Sequence, residues 1–180
     1  MTRVGPGNAA IAAALAAVGA AGVALPYLGA LLAVGLPWWT PTAVGSGRAL
    51  AATSILVVAA WFASERDGPA GFVALLGAGF GALTATAAVV ISPSVLAGGV
   101  VRAAGAMQFV ATGVFFLAVG VATHDDRLPT AGETAAAVVG LLSVGSALLP
   151  VLRLLALAGW VGWCGWLCVW LVLGSRSTGE

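Results

Sequence analysis

The sequence predicts an all-α, polytopic integral membrane protein, a bundle of about six transmembrane helices forming one domain over residues 1–180. Three observations predict it. The chain is 61% hydrophobic and only 7% charged, where a soluble domain carries about 25% charged residues. Its mean hydropathy is +1.10. Short polar or proline-bearing breaks also divide the apolar sequence into lengths near the ~20 residues that cross a bilayer. Seven arginines and six carboxylates, with no lysine, cannot hydrate a globule of 180 residues. Most of the surface must therefore face lipid.

The first span is expected over 8–36. Arg3 ahead of an apolar run begins as a secretory signal does, but that run far exceeds a signal's apolar region of ~7–15 residues, so it reads as a retained helix. It is longer than a ~30 Å hydrocarbon core requires and contains Pro26, which predicts a kink or a tilt. Pro37-Trp38-Trp39-Thr40-Pro41 then breaks the helix and sets two indoles where an interfacial belt belongs. The second span is expected over 46–64, ending at Glu65-Arg66-Asp67. The third covers 69–91 and opens on Pro69, a favoured first-turn residue. Ser92 and Pro93 suit the cap and first turn of a fourth span over 94–122. His124-Asp125-Asp126-Arg127, the most polar stretch, belongs in water. The fifth span is expected over 131–149 and the sixth over 151–173, with a tight Leu149-Pro150 junction between them.

Helices in lipid associate through close backbone approach and interhelical hydrogen bonds, so small residues at helical spacing mark their contacts. Such stripes are Gly77, Gly81, Thr84 and Ala88 in the third span, and Ala136, Gly140, Ser143 and Ala147 in the fifth. In the fourth, Gly98, Arg102, Gly105 and Thr112 share one face. The sixth span differs: Trp160, Trp163, Trp166 and Trp170 fall on one side, with Gly159, Gly162 and Gly165 across the adjoining side. That side is either an aromatic wall for a flat lipophilic ligand or lipid tail, or a bulky lipid-facing or intersubunit surface beside a small packing face.

Charge is distributed unevenly between the two membrane faces. With six spans, the side of the termini carries Arg3, Arg66, Arg127 and Arg176, and also every acid. The far side carries Arg48, Arg102 and Arg153 and no acid. Four arginines against three favour cytoplasmic termini in a cell membrane. Arg48 and Arg153 fall at expected helix starts, as interfacial anchors do. Arg102 lies about nine residues beyond Pro93, hence ~13 Å along its helix and on the face expected to point inward. A charge in a span needs a partner or a wet cavity. Either Arg102, helped by Arg48 and Arg153, forms an anion- or lipid-binding mouth, or its guanidinium snorkels to the headgroups.

Reactive chemistry is sparse. His124 is the only histidine and stands in a polar turn, so no metal site or cofactor is expected. Cys164 and Cys168 share a helix face and read as small packing residues, since two thiols alone make a poor metal site. Glu133 closes Thr130-Ala131-Gly132-Glu133, a capping-box pattern. Otherwise it is a proton-handling carboxylate that Glu65 and Asp67 could join as general acids.

Two function classes follow. The first is a multi-pass membrane protein without catalysis of its own: lipid- or anion-binding, transport-related, or an accessory subunit. Its partners would be membrane lipids, a lipophilic or anionic small molecule, or a second membrane subunit, identical or not. The second is an intramembrane enzyme acting on a lipophilic, isoprenoid-like substrate through those carboxylates. No filter-like loop supports a channel, and no basic run or motif points to nucleic acid.

Overall fold

A computed structural model describes residues 4–32, 40–65, 68–91, 97–121, 128–149 and 151–177; the side chains of 30–31, 40–43, 88–91, 97–102 and 175–177 lie outside that description. Six helices account for it: α1 (Pro6–Leu31), α2 (Thr40–Glu65), α3 (Pro69–Ile91), α4 (Ala97–Val121), α5 (Thr130–Gly145) and α6 (Leu152–Ser177). Five of them contain apolar stretches of 19 to 24 residues, long enough to cross a bilayer. The protein is a helical membrane bundle. Its outward side chains agree, because Phe72, Leu83 and Leu141 are each more than 60% exposed. Water would not tolerate so continuous an apolar surface, whereas lipid solvates it.

Most boundaries match the punctuation, and three differ for physical reasons. The first helix ends at Leu31, short of the expected 36, and it runs through Pro26. The second starts at Thr40, six residues before the expected 46, because Pro41 in a first turn is compatible with a helix and does not break it. The fifth is the shortest, at 16 residues or ~24 Å. It ends at Gly145 and unwinds through hydrogen-bonded turns, with the N–H groups of Leu148 and Leu149 donating to the Gly145 carbonyl, ahead of Pro150. The residue before a proline disfavours helix, which explains the early stop. The expected cap and first turn at Ser92 and Pro93, the indoles Trp38 and Trp39, and the His124–Arg127 turn lie outside the described residues.

Each helix packs on the next in sequence, and α6 returns to α1, closing a ring; across the ring, the backbones of α2 and α4 also approach. Contacts between neighbours descend in one helix as they climb in the other. Gly19 meets Ala51 while Gly22 meets Gly47, and Gly113 meets Ser143 while Gly120 meets Ala137, so the ring runs up and down alternately. Glycines set the closest approaches. A β-carbon on Gly77 would lie 2.9 Å from both the Ala111 carbonyl oxygen and the Phe115 nitrogen, so α3 and α4 touch backbone to backbone there. On α1 the buried stripe is Ala9, Ala13, Ala16 and Ala20, which leaves room for bulk from elsewhere.

That bulk is aromatic. Phe109, Phe115 and Phe116 of α4 meet Trp160 and Trp163 of α6 inside the ring, with ring centroids 5.1 to 6.2 Å apart. Trp160 and Trp163 thus point inward, so the bulky side of α6 is not turned to lipid at these two positions. Gly162 is the exposed residue, with nothing within 4 Å of a β-carbon placed on it. The reason is the indole N–H, which finds no acceptor among lipid tails. Facing inward, Trp160 Nε1 donates to Ser143 Oγ at 2.8 Å and Trp163 Nε1 donates to the Gly132 carbonyl at 2.8 Å. Trp160→Phe is expected to lower stability by about 1 kcal/mol, the net worth of one such bond. Detergent-denaturation midpoints would register it, and an unshifted midpoint would mean that the Ser143 bond contributes nothing.

Candidate functional site

The early start of α2 changes the position of Arg48. Eight residues beyond Thr40, it stands ~12 Å along the helix and inside the apolar stretch Val44–Glu65. It therefore does not stand at the helix start, where it was expected. Its side chain is half-buried and reaches across the ring interior. Arg48 Nη2 donates to the hydroxyl of Tyr27 on α1 at 3.0 Å. Its Nη1 is the nearest atom, at 3.1 Å, to a β-carbon placed on Gly105 of α4. The backbones of α1 and α4 do not approach one another closely, and the guanidinium lies between them. A side chain at Gly105 would crowd that gap.

One turn further along α4, Gln108 is 1% exposed, and its Nε2 donates to the Arg48 carbonyl at 3.5 Å. Two polar atoms of this group are buried without a hydrogen-bond partner: Arg48 Nε, a donor, and Gln108 Oε1, an acceptor. Tyr27 accepts from Arg48, and no acceptor for its own hydroxyl hydrogen occurs among the described residues. Among the described residues no carboxylate neutralises the site. The two described acids are Glu65, 17 residues or ~25 Å further along α2, and Glu133 on α5, a helix that does not touch α2. An arginine in a span with no acid partner among the described residues is an electrostatic demand on something else.

The remaining predicted residues distribute as follows. Arg153 is the second residue of α6, half-buried, and its Nε is also buried without a partner. Arg102 falls in the second turn of α4, toward the same end of the ring, and its side chain lies outside the described residues. Of the aromatic wall, Trp160 and Trp163 are occupied by phenylalanine rings of the protein itself. Trp166 and Trp170, half-buried, stack on each other with centroids 6.3 Å apart. Trp163 and Trp166, with Gly132, Gly159 and Gly162, line an outward cleft of about 390 Å³ between α5 and α6. Cys164 is buried and Cys168 half-buried, both free.

Glu133 does not take the capping-box role. The N-cap of α5 is Pro129, which has neither an N–H nor a capping side chain, so Thr130 is already helical and Glu133 is one position too far along. Glu133 is nonetheless only 3% exposed. Glu65 ends α2 and Asp67 lies outside the described residues, so no carboxylate pair is assembled among the described ones. Nor does any group of three or more metal-ligating side chains occur among them.

Tyr27 and Gln108 were missed in the sequence, although each is the only residue of its type in the chain. A lone glutamine in an apolar span, between Gly105 and Thr112 on the face that also holds Arg102, was a readable signal. Compared with protein-family models, curated proteins and solved structures, the chain shows no match.

Proposed function

We propose that this chain is a multi-pass protein of the cell membrane, with cytoplasmic termini and no catalysis of its own, that binds an anionic group inside its helix ring at Arg48. The single observation that supports the reading is the guanidinium between α1 and α4, half-buried, with a free donor at Nε and no carboxylate partner among the described residues. A buried cation left without a counter-charge is strongly unfavourable, and an anion entering from the far side relieves that. Arg102 and Arg153 add positive potential at the same end of the ring and steer an anion toward it. Membrane lipids are the most abundant source of such a group, and a small soluble anion is the other.

The test is native mass spectrometry of the protein released from nanodiscs that contain an anionic lipid. Arg48→Gln is expected to lose roughly tenfold to a hundredfold in retained anion, because a hydrogen bond to a charged group is worth about 1.5–3 kcal/mol and each 1.4 kcal/mol is a factor of ten. Equal retention by Arg48→Gln and the native chain, both correctly folded, rejects the proposal. The enzymatic reading has one observation in its favour, the burial of Glu133. Its other acids, Glu65 and Asp67, have no demonstrated place beside it, so it is the weaker of the two.

A further inference from the structure

Resting on that anion-binding reading, we infer that the Arg48 site takes a phosphodiester whose alcohol bears a free hydroxyl, as a glycerol headgroup does. The inference comes from the pairing of unsatisfied groups. Arg48 Nε and the Tyr27 hydroxyl hydrogen are donors, and an oxyanion satisfies both. Gln108 Oε1 is the opposite case: a buried acceptor in a residue 1% exposed, held beside Arg48 because its own amide nitrogen donates to the Arg48 carbonyl. A bare anion leaves that acceptor unmet, and an unpaired buried acceptor is costly.

The ligand must therefore bring a donor as well as a negative charge. An ammonium would place a second cation beside the guanidinium, which electrostatics disfavours. A neutral hydroxyl carries no such penalty. Gly105 leaves room for the guanidinium itself, since a β-carbon there would lie 3.1 Å from Arg48 Nη1. The ligand then makes four contacts of fixed sense: phosphate oxygens accept from Arg48 Nε and Tyr27, Arg48 Nη1 faces the same oxygens, and the headgroup hydroxyl donates to Gln108.

The experiment uses the full chain in nanodiscs of phosphatidylcholine doped with either phosphatidylglycerol or phosphatidylmethanol, read by native mass spectrometry. Both dopants are phosphodiesters of the same charge, and only the first has headgroup hydroxyls. Phosphatidylglycerol should be retained about three- to tenfold more than phosphatidylmethanol, the worth of one net hydrogen bond. Gln108→Met, of similar volume, should bring the ratio to one while both remain above phosphatidylcholine. Equal retention of the two anionic lipids by the native chain overturns the hydroxyl inference and leaves the anion reading standing; this comparison needs no variant to fold. Retention of neither above phosphatidylcholine overturns both. Soluble glycerophosphoglycerol, a phosphodiester with free hydroxyls and no acyl chains, added to the same discs separates the sources. If it displaces the lipid, the same chemistry is served from solution; if it does not, the ligand is the lipid headgroup.

Discussion

Replacing Gly113 or Gly140 by leucine is expected to prevent α4 and α5 from docking and to destabilise the bundle by about 3 kcal/mol or more, at or beyond the upper end for an overpacked core. A β-carbon on Gly113 would lie 3.0 Å from the Gly140 carbonyl oxygen and 2.8 Å from Val144 Cγ2. One on Gly140 would lie 2.8 Å from the Leu117 nitrogen and 2.9 Å from the Gly113 carbonyl oxygen. Both glycines have backbone atoms at 3.0 Å or less among these neighbours, and backbone cannot turn away as a side-chain end can. The effect is large because helices in lipid gain nothing from burying apolar surface as such, and close backbone contact is the attraction itself. Denaturation in mixed detergent micelles measures it, with Gly162→Leu as the control at a position open to lipid. A Gly113 variant that unfolds with the control would show that the two helices are not this close.

Truncating the interior aromatic layer is expected to be nearly as damaging. Trp163 is 4% exposed, packs on Phe115 and Phe116, and donates to the Gly132 carbonyl. Trp163→Ala should destabilise by about 3 kcal/mol, the lower end for a tryptophan removed from a core, since the unfolded chain in lipid is already in apolar surroundings. What is lost is dispersion contact around the void and one hydrogen bond. Trp163→Phe should recover most of the loss and leave about 1 kcal/mol for the indole N–H. If the alanine and phenylalanine variants melt together, the ring does not fill the interior as described. Trp170→Ala, at the half-buried end of the stack, should cost clearly less than Trp163→Ala.

Some of the candidate site was legible and some was not. Arg48 and Arg153 were visible as far-side cations without acids. The depth of Arg102 or Arg48 in its span depends on where the helix begins. Thr40-Pro41 reads equally well as a break or as a first turn, and taking it as a break put Arg48 at the membrane boundary. Glu133 was misassigned for a related reason. The capping-box pattern is satisfied in sequence, yet Pro129 starts the helix one residue earlier and shifts the register by one. Local signals that depend on register fail when the boundary moves by a single position.

By itself the sequence determined the membrane as solvent, the six helices and most of their ends, because length, charge and proline placement are properties of a segment taken alone. Only the tertiary structure decided which face of each helix turns inward. A helix solvated by lipid is apolar on its buried and exposed sides alike, so hydrophobic periodicity carries no record of orientation. Side-chain volume does not break the tie either, as Trp160 inside and Phe72 outside demonstrate. Polar hydrogens and acceptors break it. The indoles turn toward Ser143 and Gly132, and Arg48 toward Tyr27, because an unpaired polar group has nowhere to go among hydrocarbon tails. Such pairings join residues 17, 31 and 21 positions apart in the chain, and no local pattern announces them.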